Sequence, residues 1–182
     1  MNCWKSVNII KEYGTERIIF LSLFGVLSFF TVFYLTYSML YPSAHLADQG
    51  LFFLFVLLLI IVPFHKLMHC VPLWIMGKKA KLKIKFGLEM YRPTMACCIP
   101  CPLSRNLTII VVLFPFISIT LLACIGAFLI PAYMHYFAIF SAINFGYSII
   151  DFIYALKLYK APKHSFIEDH EEGFDILIKS ML

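Results

Sequence analysis

Apolar and polar residues separate along this chain into four long runs and the polar stretches between them. Residues 18–40 carry no charge across 23 positions. At about 1.5 Å per residue, a helix of that length exceeds the roughly 30 Å hydrocarbon thickness of a bilayer. The second run, 51–76, is different: its uncharged stretch ends at Phe64 after 14 residues. Fourteen residues give only about 21 Å of helix. To span a membrane, this helix must continue through His65, Lys66 and His69 towards Trp74, which places ionisable groups inside the bilayer. Residues 107–130 and 132–156, divided at Pro131, complete the set. The pattern predicts an all-α membrane protein of four transmembrane helices forming one integral-membrane domain over 1–182.

Two shorter patterns lie outside these runs. Lys81-Leu82-Lys83-Ile84-Lys85-Phe86 alternates with the period of a strand, and Gly87 permits a turn into 88–92. This predicts a small β-hairpin at about 80–92, with a lysine face suited to anionic lipid and an edge suited to aligning a peptide. At the N-terminus, Trp4, Ile9, Ile10 and Tyr13 are interleaved with Lys5, Lys11, Glu12, Glu16 and Arg17, the composition of an amphipathic surface anchor. Residues 157–182 read as a polar tail, briefly apolar at 174–178.

Composition agrees with the pattern: 62% of residues are hydrophobic and 14% charged, outside the range of soluble domains. The net charge of +5 does not point to nucleic acid. The lysines and arginines fall at the N-terminus, between the second and third runs, and after the fourth, with none in the loops 41–50 or around Pro131. By the positive-inside rule this predicts a multi-pass protein of the cell membrane with both termini and the hairpin cytoplasmic. The start of the chain does not read as a cleavable signal peptide. The six cysteines are scattered and predict free thiols; Cys97, Cys98 and Cys101 suit incidental or lipid-modified thiols better than a metal site, which needs a second ligand pair.

The candidate chemistry is in the membrane runs, where ionisable residues are costly and each asks for a partner. His65 and His69 are four apart and share a helix face. Asn144, Ser148 and Asp151 form one polar stripe on the fourth run, and Asp151 lies at the same predicted depth as the histidines. His135 is near the opposite end, and His45, His164 and His170 fall in predicted loops or the tail. Two imidazoles and a carboxylate suit zinc, with a position left for water or substrate. The same three residues equally suit a buried polar network that joins two helices.

The residues His65-Lys66-Leu67-Met68-His69, the lysine-bearing hairpin, Leu113-Phe114-Pro115, the stripe from Asn144 to Asp151, and the run Glu168-Asp169-His170-Glu171-Glu172-Gly173-Phe174-Asp175 together resemble a bacterial integral-membrane family of unknown function described as "putative zincin peptidases". More distantly, the order of parts resembles the site-two proteases. The resemblance implies zinc as cofactor, His65, His69 and Asp151 as its ligands, Asn144 as a substrate-positioning residue, and a membrane-embedded peptide as partner. Lys66 stands where the family pattern has a glutamate general base. Loss of such a base costs typically 10²- to 10⁴-fold in rate. The resemblance thus implies a peptidase-like protein that is catalytically impaired, a pseudoprotease, with its catalytic residues unknown.

Overall fold

The computed structural model describes residues 2–43, 45–47, 49–78, 80–86, 93–98, 102–170 and 173–178. Strand β1 (Asn2–Val7) and the short helix α1 (Ile9–Tyr13) precede the first long helix, α2 (Thr15–Leu40). Helix α3 (Leu51–Ile75) follows, then strands β2 (Lys81–Phe86), β3 (Pro93–Cys98) and β4 (Leu103–Ser104). Helix α4 (Arg105–Leu129) leads through a 3₁₀ turn (Pro131–Tyr133) into α5 (Met134–Tyr159), and strands β5 (Phe166–His170) and β6 (Gly173–Ile178) end the chain. Four helices are long and apolar enough to cross a membrane, the architecture of a multi-pass membrane protein. Their outward residues, such as Phe24, Phe52, Leu121 and Leu129, are large, apolar and exposed, as a lipid-facing surface requires.

Helix α5 is the hub of the bundle, packing chiefly against α2 and α4, whereas α3 leans mainly on α4. Small residues allow the closest approach. A Cβ added to Gly146 would lie 2.4 Å from Val26 Cγ2 and 3.2 Å from the Ser22 carbonyl oxygen, so the backbones of α5 and α2 meet there. Beside that contact Phe29 of α2 stacks on Phe145 at 4.9 Å between ring centroids. Helix α3 runs through both Pro63 and Pro72 and ends where Gly77 adopts φ 70°, a left-handed C-cap that most side chains resist. The Lys78 amide then reaches the Leu73 carbonyl at 2.8 Å, and the Trp74 indole donates to the Ala80 carbonyl at 3.1 Å, which fixes the exit towards β2.

The strands depart from the sequence reading. The hairpin pairs β2 with β3 from Lys81↔Cys98 to Phe86↔Pro93, so its second strand is 93–98; residues 88–92, where a turn at Gly87 would place that strand, lie outside the described residues. The N-terminal segment, read as an amphipathic anchor, supplies strand β1 and the short helix α1, and the tail, read as polar, supplies strands β5 and β6. Both enter a four-stranded antiparallel sheet of order β1-β6-β5-β4. Val7, Phe174 and Ile176 of this sheet are buried with Ile18, Ile153 and Leu158 from the ends of α2 and α5, which gives the terminal layer its own core. The sheet therefore caps one end of the bundle, the end at which the β2–β3 hairpin also emerges. The Arg105 amide donates to the Ser165 carbonyl at 3.0 Å, and its guanidinium to the Ala161 carbonyl at 2.8 Å, tying the start of α4 to the same layer.

Candidate metal centre

Each group of the polar cluster is placed by a local rule. Helical spacing sets His65 and His69 one turn apart on α3, with ring centroids 5.2 Å apart. On α5, Asn144 and Asp151 lie two turns apart and face the same histidine. Ser148, between them, is buried but turns back on its own helix, donating to the Asn144 carbonyl at 2.8 Å, so it takes no part in the cluster. The structure thus brings together His65, His69, Asp151 and Asn144.

His65 is held at both ring nitrogens: Nδ1 lies 2.8 Å from Asn144 Oδ1 and Nε2 lies 3.0 Å from Asp151 Oδ2. His69 Nε2 approaches the same Asp151 oxygen at 3.7 Å, while its Nδ1 lies 2.9 Å from the Val111 carbonyl oxygen on α4. One ligand atom from each of His65, His69 and Asp151 lies within 4.8 Å of the other two. His65 is 2% exposed and Asn144 fully buried, so these contacts are made largely out of reach of water.

The hydrogen bonds decide which nitrogens bear lone pairs. A carbonyl oxygen only accepts, so His69 Nδ1 carries the proton it shares with Val111, and His65 Nδ1 likewise donates to the Asn144 amide oxygen. In the neutral rings both Nε2 atoms are then lone-pair donors aimed at a carboxylate oxygen. Three electron-rich atoms converge with no hydrogen between them, and the arrangement calls for a cation, either a proton or a metal ion. Two imidazole nitrogens and a carboxylate oxygen are a donor set that suits zinc, and partners on the far ring nitrogens are what ligating histidines ordinarily have.

The Val111 carbonyl is available for a reason legible in α4. In an uninterrupted helix it would accept from the amide four residues on, but that residue is Pro115, which has no N–H. The buried Pro115 therefore frees the acceptor that orients His69. Pro115 stands out in the sequence, but its link to His69 depends on how α3 packs on α4, and no local pattern carries that information. Asn144 keeps one further feature: its Nδ2 is buried with no hydrogen-bond partner among the described residues.

Lys66 is half-buried on α3 beside His65. Apart from Asp151, the only carboxylate in the four long helices is Glu16, in the first turn of α2. No second acid in these helices stands in for the glutamate of the zincin pattern.

Four helices long and apolar enough to span a membrane, with a His, His and Asp cluster between α3 and α5, define the class, a multi-pass membrane protein whose cluster could hold a metal ion. The family model described as "Putative zincin peptidase" matches residues 58–166, well over half of the chain, and the chain belongs to that family. That match spans α3 from just before the histidines, the β2–β3 hairpin, α4 and all of α5. No curated protein and no solved structure matches the chain.

Proposed function

We propose that this protein holds one zinc ion through His65 Nε2, His69 Nε2 and Asp151 Oδ2, in a cell membrane with both termini and the lysine hairpin on the cytoplasmic side. The observation that carries the reading is the convergence of three lone-pair atoms within 4.8 Å in a buried setting. Bound zinc supplies Lewis acidity at that point, able to polarise a carbonyl or activate water. Asn144 orients His65 through Oδ1, and its unpartnered Nδ2 is a donor for a peptide carbonyl of a membrane-embedded substrate or partner. Lys66, in the place of the general base, brings a positive charge beside a dication and no proton acceptor. The protein is on this reading a pseudoprotease that binds peptide in the membrane without turning it over.

Purified wild-type protein, prepared without chelator, should contain about one zinc per chain by elemental analysis, lost in His65→Ala and in Asp151→Asn. Metal-free wild type overturns the zinc site and leaves the second reading, supported by the 3.0 Å approach of His65 Nε2 to Asp151 Oδ2, in which a proton takes the cation's place and the cluster only joins α3 to α5. In that case His65→Ala lowers thermal stability with no metal to lose. For catalysis the comparison is Lys66→Glu against wild type on a transmembrane peptide. Turnover should appear only in the variant, and wild-type turnover that depends on His65 would overturn the pseudoprotease assignment.

A further inference from the structure

A second site lies where the terminal layer meets the foot of α5, on residues the zinc reading does not use. A cavity of about 360 Å³ is lined there by Trp4 and Lys5 of β1, Tyr13 of α1, and Leu156, Lys157 and Lys160 of α5. Lys157 is already committed: it pairs with Glu12 and sits over the Tyr13 ring, 5.3 Å from the centroid. Glu12 responds in kind, its carboxyl held below the usual value by the hydrogen bond from that ammonium. With Glu12 balanced by Lys157, the exposed Lys5 and Lys160 leave a net positive charge at the mouth of the cavity.

Leu156 lines a second cavity as well, about 460 Å³ in volume, that runs along the outer faces of α4 and α5 past Leu113, Phe116, Phe152 and Tyr159. Its walls are apolar, and Leu156 and Tyr159 are largely exposed on the bundle's lipid-facing side. A basic recess edged by Trp and Tyr therefore adjoins an apolar groove that follows the span. Aromatic residues of this kind favour the headgroup level, and basic pockets between helix ends favour anionic headgroups.

We propose that these two cavities form one binding site for an anionic phospholipid, its phosphate between Lys5 and Lys160 and an acyl chain in the groove beyond Leu156. The lipid would bridge β1 to α5, the helix that carries Asn144 and Asp151, and so couple the terminal sheet to the bilayer surface. The site is independent of whether zinc is bound.

Native mass spectrometry of the full-length protein in micelles, titrated with phosphatidylglycerol or phosphatidylcholine, tests this. Phosphatidylglycerol should bind at least tenfold more tightly. At about 1 kcal/mol per lysine, the double variant Lys5→Ala/Lys160→Ala should lose roughly 30-fold and bind the two lipids alike. The double variant Lys78→Ala/Lys163→Ala, with the same loss of charge at exposed positions outside the recess, should retain wild-type binding. Leu156→Ser should weaken phosphatidylglycerol with both lysines intact. Equal binding of the two lipids by wild type, or an equal loss in both double variants, overturns the proposal. Displacement of the lipid by millimolar inorganic phosphate would also overturn it, assigning the recess to a free anion.

Discussion

Pro115 acts on His69 by what it lacks. Pro115→Ala restores an amide N–H aimed at the Val111 carbonyl, which His69 Nδ1 now uses at 2.9 Å. Competition for that oxygen should loosen the tautomer that exposes Nε2, and loss of such supporting partners costs a metal site typically 10- to 100-fold in affinity. Replacement of Pro115 by lactic acid, which has alanine's methyl group but an ester oxygen in place of N–H, should keep wild-type affinity. Zinc titration of the two variants isolates the N–H from the missing ring, and imidazole ¹⁵N shifts of zinc-free protein report the His69 tautomer whether or not metal binds. Equal shifts in the two variants would show that the carbonyl is not reserved for His69. At this scale the sequence was informative about side chains and silent about main-chain partners. His65, His69, Asn144 and Asp151 were legible because polar residues in an apolar run are conspicuous and helical spacing fixes their face. The Val111 carbonyl was not, since every residue has one and only packing selects it.

The long helices were legible for the same reason that lipid tolerates them: each must satisfy its own backbone, so length and hydropathy nearly determine the element. Strands depend on partners, and the pairing of 2–7 with 173–178 was not legible for that reason. The alternation in 173–178 is short, and its partner β1 lies at the other end of the chain. Which helices touch was equally invisible, although Gly146 marks the point. Gly146→Val would put branched carbons where Val26 and the Ser22 carbonyl already lie, and overpacking of this kind costs about 1–3 kcal/mol. We expect thermal stability in detergent to fall while zinc content per folded chain is kept, because the α2 contact is on the side of α5 away from α3. Loss of zinc from the folded variant would mean that α2 helps hold α5 in register with the histidines.

At the scale of the whole molecule, the two ends of the chain close on each other. Asn2 pairs with Ile178 and Val7 with Phe174, so β1 takes its place in the sheet only against a strand from the far end of the sequence. The first and last strands consequently lie at one end of the bundle, an arrangement compatible with the placement of basic residues near both ends and in the hairpin. The closure depends on Gly173, where any Cβ would lie 2.0 Å from the Val7 carbonyl oxygen, a main-chain atom that cannot swing aside. Gly173→Ala should therefore push β1 off the sheet without touching the helices. If that costs the strand 1–2 kcal/mol, its open population rises about 5- to 30-fold, and trypsin cleavage at Lys5 and Lys11 should accelerate by the same factor while cleavage elsewhere and zinc content stay unchanged. The variant should also lose selective phosphatidylglycerol binding, because Trp4 and Lys5 leave the recess with the strand. Faster proteolysis with lipid selectivity intact would place the headgroup on α5 alone, and unchanged proteolysis would mean that β1 is held by the Val7, Phe174 and Ile176 core strongly enough to absorb the methyl group.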